Sequence, residues 1–86
     1  MKTRKSKYLE IENAEHLDGH RLRLEFNDGV RRVVDFGPFL KQARHPQIAA
    51  YRSLRKFKSF HIEHGQLMWG DFEMLFPVWD LHEGQI

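Results

Sequence analysis

Apolar and charged residues alternate most regularly over residues 20–26, where Leu22, Leu24 and Phe26 are interleaved with Arg21, Arg23 and Glu25. A period of two sends neighbouring side chains to opposite faces, so this segment reads as a half-buried strand. Residues 8–16, with Leu9 and Ile11 on one face, and residues 30–36 read as its neighbours. The turns between them are Leu17-Asp18-Gly19 and Asn27-Asp28-Gly29.

The second turn has a testable register. A two-residue Asp28-Gly29 loop sets Phe26 against Arg31 and Leu22 against Asp35, which brings charge to the apolar face. A three-residue loop with Gly29 left-handed pairs Phe26 with Val30 and Leu22 with Val34 instead. It also places Glu25 opposite Arg31 and Arg21 opposite Asp35, and leaves Leu24 opposite Arg32 as the one discordant pair. The stem of Arg32 is then expected to pack while its head group reaches past the sheet edge. The same geometry at Leu17-Asp18-Gly19 pairs Glu15 with Arg21 and Ala14 with Leu22, and requires a bulge near Asn13 to return Ile11 to the apolar face.

Gly37-Pro38 ends the third strand, and Phe39-Leu40 reads as a single helical turn. Pro46 fits the first position of a helix over residues 45–56, with Ile48, Tyr51 and Leu54 as its apolar stripe and Arg44, Arg52, Arg55 and Lys56 toward water. A second hairpin follows around His64-Gly65, facing Ile62 with Leu67 and Phe60 with Trp69, and on the other side His61 with Met68 and Glu63 with Gln66. The tail, residues 71–84, is apolar but irregular, and Pro77 opens a last helical turn through Leu81. The predicted fold class is α+β: a small single domain over residues 8–86 with a three-stranded antiparallel meander, a helix, a second hairpin and a short C-terminal helical turn. Residues 1–7 are read as a basic, flexible arm.

Composition narrows the function classes. The chain has 86 residues, enough for one core, with 41% hydrophobic residues and seven Phe, two Trp and two Tyr. It has no Cys, which excludes disulfides, thiolate metal sites and cysteine nucleophiles. Its charge-free stretches fall far short of the ~18 residues of a membrane-spanning helix, and its basic N-terminus lacks the apolar segment of a secretory signal. A cytoplasmic location without a membrane partner is the expectation. All 14 Lys and Arg lie at or before Lys58, against seven acids, while the remainder carries five acids and no Lys or Arg. This asymmetry serves either as a handle for a partner or as attraction between two halves of one fold.

No residue set meets the needs of catalysis. His61, Glu63 and His64 occupy a strand and its turn and do not converge as metal ligands. Asp71, Glu73 and Asp80 are carboxylates near aromatics, without a visible cleft or partner base. No cofactor is expected. Arg21, Arg23 and Arg31, with Lys2, Arg4, Lys5 and Lys7 of the arm, are the candidate contacts to a nucleic acid, although Glu25 and Asp35 interrupt that surface. Phe72, Met74, Leu75, Phe76, Val78 and Trp79 either cap the core or form an apolar patch for a protein partner or a second copy.

The order Leu22-x-Leu24-x-Phe26-x-Asp28-Gly29, Val34-Asp35-Phe36, Phe57-x-x-Phe60-x-Ile62-x-x-Gly65-x-Leu67-x-Trp69-Gly70 and Phe76-Pro77-Val78-Trp79-Asp80-Leu81 resembles the bacterial domain-of-unknown-function family 2442 over residues 9–84. The stretch 41–54 is longer than in many members, and the ending after Trp79 is a variant of a commoner acidic one. The resemblance implies a small α+β domain, found alone or beside helix-turn-helix segments and often encoded next to another small protein, as in regulatory or toxin–antitoxin-like pairs. It brings no catalytic residues. The expected function is therefore a non-enzymatic protein-interaction module, binding another small protein or itself; the alternative is an accessory nucleic-acid-binding domain using the basic outer sheet face.

Overall fold

The meander forms as the alternation requires: β1 (Ile11–Asp18), β2 (Arg21–Phe26) and β3 (Arg31–Asp35) make one antiparallel sheet in that order. The structure is a computed structural model and describes residues 8–86; the expected arm, residues 1–7, lies outside the described residues. β2 and β3 pair Arg21 with Asp35, Leu22 with Val34, Leu24 with Arg32 and Glu25 with Arg31, the register derived from the three-residue loop. Gly29 sits at φ +90°, where a side chain is strained, and the Asp28 carboxylate accepts from the Val30 N–H at 3.0 Å to close the turn.

The first hairpin differs from expectation by two residues. Its turn is Gly19-His20, with Asp18 opposite Arg21, and Glu15 and Ala14 face Arg23 and Leu24 rather than Arg21 and Leu22. A slip of two leaves every side chain on its own face, so the hydrophobic pattern cannot distinguish the two registers. What selects the observed one is local: a bulge at Leu17, and a hydrogen bond from His16 Nε2 to the Gly19 carbonyl at 2.9 Å. The bulge expected near Asn13 is present at Glu12 and brings Ile11 opposite Phe26, where it is buried.

Between the sheets the chain is helical in short pieces. α1 (Gly37–Gln42) carries Pro38 in its first turn, with the Asp35 carboxylate accepting from the Gly37 N–H. The single helix expected over residues 45–56 is instead α2 (Pro46–Ala49), a 3₁₀ turn (Ala50–Arg52) and α3 (Leu54–Phe57). The break is Ser53, extended at ψ 125°, which turns Leu54 out to 43% exposure while Tyr51 and Phe57 stay buried. Arg52 is the reason the break is tolerated. Its guanidinium donates to the carbonyls of Leu40 (2.7 Å), Lys41 (3.1 Å) and Ala43 (2.8 Å) and caps the C-terminal end of α1, while the residue stays exposed as the stripe suggested.

The second sheet is β4 (His61–Glu63), β5 (Gln66–Trp69) and β6 (Met74–Leu75), in that order. Its first hairpin has the expected register, Ile62 opposite Leu67 and Glu63 opposite Gln66. β6 was not legible in the tail: it pairs Met74 with Trp69 and Leu75 with Met68. Pro77 then caps α4 (Val78–Glu83), which ends in a Schellman-type turn through Gly84. Arg32 reaches the His82 carbonyl at the end of this helix, so the discordant residue of the first sheet serves as a second arginine cap. No helix among the described residues is long and apolar enough to cross a membrane.

Both sheets and the helices close on one interior, with Leu22, Leu24, Phe26, Phe36, Phe57, Leu67, Trp69 and Leu81 nearly inaccessible. Trp69 lies at its centre, stacked on Phe57 at 5.5 Å and met edge-on by Phe36, Tyr51, Phe60 and Phe76 at 5.4–6.4 Å. Its Nε1–H donates to the Phe57 carbonyl at 2.6 Å, which satisfies the one polar atom of the ring. Removing the α1 cap by Arg52→Ala should lower the unfolding free energy by roughly 1–3 kcal/mol, and Arg52→Lys should restore little of it, because an ammonium cannot fork onto three carbonyls. Urea denaturation of the three proteins checks this.

Candidate interaction site

The candidate interface residues divide into two groups. Met74 and Phe76 are 3% and 7% exposed and belong to the core, and Val78 is half-buried against it. Phe72, Leu75 and Trp79 are 63%, 41% and 60% exposed. Strand alternation accounts for the middle of the segment: with Met74 turned inward beside Trp69, Leu75 must face out.

Phe72 is held outward by its own loop. Residues 70–73 connect β5 to β6, and Phe72 sits at φ +66°, a conformation that costs a non-glycine residue on the order of 1–3 kcal/mol. The following residue pins the loop from both ends. The Glu73 N–H donates to the Trp69 carbonyl at 3.1 Å, and its carboxylate accepts from the buried Tyr51 hydroxyl at 2.7 Å. Burial, reinforced by this carboxylate, pushes the Tyr51 phenol up to about 12. Glu73 is thereby committed to structure rather than to the acid–base role considered for Asp71, Glu73 and Asp80.

The basic face is internally neutralised. Arg21 pairs with Asp18 at 2.8 Å, Arg23 with Glu15, and Arg31 with Glu25 at 3.4 Å. The Asp18 carboxyl is held below its ordinary value by the hydrogen bond from Arg21. Although Arg21 stands opposite Asp35 in the sheet, its guanidinium turns to Asp18, and Asp35 caps α1. Lys2, Arg4, Lys5 and Lys7 lie outside the described residues. Among the described residues no three His, Asp or Glu side chains are placed to hold a metal ion.

Two features link elements far apart in sequence, and neither was visible in the pattern. The first is His82 on α4. Its Nε2 lies 2.9 Å from Asp28 Oδ2 at the tip of the β2–β3 turn, and its ring lies edge-on between Phe26 (4.8 Å) and Trp79 (5.4 Å). Burial tends to raise the Asp28 carboxyl, but the Val30 N–H and His82 together outweigh it and leave it below its ordinary value of 3.8.

The second is a cleft of about 390 Å³ lined by Tyr8, Leu9, Glu10, His64, Gly65, Gln66, Val78 and Trp79. Asn27 aligns its N-terminal wall: its side chain donates to the Tyr8 carbonyl and accepts from the Glu10 N–H, and its own N–H donates to the Glu10 carbonyl. The Ile11 N–H then donates to the Gly65 carbonyl at 2.9 Å, which seats this segment on the β4–β5 turn. Gly65 is required twice over. Its φ is +79°, and a Cβ there would lie 2.6 Å from Glu10 Cγ, so the glutamate stem lies flat against the turn only because no side chain intervenes. A larger hollow of about 580 Å³ lies beside α1, lined by His20, Gly37, Pro38, Leu40, Lys41, Gln42 and Arg52.

With this geometry established, the family model described as a protein of unknown function, DUF2442, matches residues 11–76. The chain belongs to the DUF2442 family. No curated protein and no solved structure matches it. The DUF2442 match spans both sheets and the helices between them, and ends before α4. Of the cleft, only His64, Gly65 and Gln66 fall inside the DUF2442 span; Tyr8, Leu9, Glu10, Val78 and Trp79 flank it.

Gly65→Ala should destabilise the protein by roughly 1–3 kcal/mol and displace the Glu10 side chain, to be read from urea denaturation and Glu10 chemical shifts. A carboxyl whose pKa is depressed on folding adds stability above its unfolded value and loses that contribution as pH falls through its folded one. The stability difference between wild type and Asp28→Asn should therefore be full above about pH 5 and shrink below about pH 4, measured by denaturation across that range.

Proposed function

We propose that this DUF2442 protein is a non-enzymatic protein-interaction module, one half of a two-protein regulatory pair, whose C-terminal segment meets the partner. The observation that carries the reading is Phe72, a large aromatic kept 63% exposed by a backbone conformation that opposes it. Strain of this kind persists where the surrounding fold over-determines it, and it concentrates at sites of contact. Next to it β6 is the outer strand of its sheet and carries the exposed Leu75, so an apolar anchor and an open strand edge are offered together.

Four of the six histidines have structural duties. His16, His20, His45 and His82 each commit a ring nitrogen to a hydrogen bond that holds a turn, the Arg52 backbone, a helix cap or the Asp28 link. The nucleic-acid alternative draws on Arg21, Arg23 and Arg31, each of which is ion-paired, and so has less to support it.

A photo-crosslinking phenylalanine analogue placed at residue 72, in native cells, should trap one discrete protein adduct, while the same group at Val33, 48% exposed on the other sheet, should trap none. Equal trapping at both positions, or none at residue 72, would rule the reading out.

A further inference from the structure

Three hollows among the described residues have linings that differ in charge. The one beside α1 contains Arg52, whose guanidinium is already turned to three carbonyls, and the one lined by Pro38, Phe39, Gln42, Ala43 and Ile86 has no charged side chain. The cleft between Tyr8 and Trp79 is different: it combines two exposed aromatic rings, at 75% and 60%, with the carboxylate residue Glu10.

We infer that this cleft receives a cationic side chain, an arginine or lysine presented by a basic peptide segment of the partner. The inference rests on the interaction-module reading and names the chemistry of the partner. Glu10 enters no ion pair among the described residues, whereas the arginine-facing carboxylates Asp18, Glu15 and Glu25 are all matched. Its position is nonetheless fixed, by Asn27 on its backbone and by Gly65 under its stem. A positioned carboxylate, without an ion pair among the described residues and sharing a cleft with the exposed Trp79 ring, attracts a cation in two ways, through charge and through the negative face of the indole.

The described charged residues around it have the same sign. Glu63 precedes His64, Asp80 follows Trp79 and Glu12 lies two residues beyond Glu10; all are exposed and none is ion-paired among the described residues. No Lys or Arg occurs after Lys58, and among the described residues none lines the cleft. A nucleic acid would meet carboxylates here and be repelled. A purely apolar ligand would cover Glu10 without a counter-charge, which is costly.

The test uses the full chain and acetyl-hexaarginine amide as probe, with hexaglutamate as control. Trp69 is fully buried, so the two indole N–H resonances distinguish the cleft from the core, and Trp79→Phe assigns them. Hexaarginine should shift the Trp79 indole saturably and leave Trp69 in place. Glu10→Gln should weaken binding at least tenfold with an unchanged melting temperature, while Glu12→Gln should change it less than twofold. Absence of a saturable shift, equal weakening by both substitutions, or a shift with hexaglutamate or duplex DNA would overturn the inference. If the probe fails while the adduct at residue 72 persists, the cleft assignment falls alone; loss of that adduct with the probe still bound removes the interface at Phe72 and leaves the cleft.

Discussion

Burial of the Trp69 indole is the constraint around which the rest of the fold is arranged. The ring is inaccessible, it touches aromatic side chains from β3's end, the helical segment, the approach to β4 and the approach to α4, and its only polar atom is bonded to the Phe57 carbonyl. Truncation of a buried aromatic to alanine costs about 3–5 kcal/mol, a large part of the roughly 5–15 kcal/mol that holds a small domain together. The nitrogen bond also fixes the ring's rotation. Phe57 must therefore end its helix with the carbonyl directed inward, and the break at Ser53 allows the last helical piece to be aimed separately.

Pieces of four to six residues do not form stable helices by themselves. Here α1 and α4 are each closed at the C-terminal end by an arginine from elsewhere, Arg52 and Arg32, whose charge also suits the negative end of the helix. Neither capping role shows in the sequence pattern, where Arg52 is an ordinary solvent-facing cation and Arg32 a charge on an apolar face. Their long stems let them pack while their head groups satisfy backbone carbonyls 9–12 residues away for Arg52 and 50 residues away for Arg32.

The parts legible in the sequence were those in which local chemistry and long-range pattern agree. The β2–β3 register follows from Gly29 together with two opposite-charge pairs, and the β4–β5 register from two apolar pairs across His64-Gly65. The β1–β2 register was ambiguous because a slip of two preserves the faces, and only the His16 contact and the Leu17 bulge decide it. β6 was hidden because a two-residue strand exists only through its partner, and the helix over 45–56 was over-extended because Ser53 carries no breaker signal. The candidate site was legible in part. The apolar tail was apparent, but its division into buried Met74 and Phe76 and exposed Phe72, Leu75 and Trp79 depends on that strand, and the cleft joins residues seventy positions apart.

That separation governs when the cleft can come into being. Its walls are contributed by residues 8–10 and 78–79 against a turn at 64–66, so during synthesis the first wall waits until residues 78–79 have emerged. The DUF2442-matched body, residues 11–76, is translated before Trp79 exists. A ligand that needs both walls therefore has no complete cleft to enter before Trp79 has been added, an order of assembly set by the chain rather than by any switch.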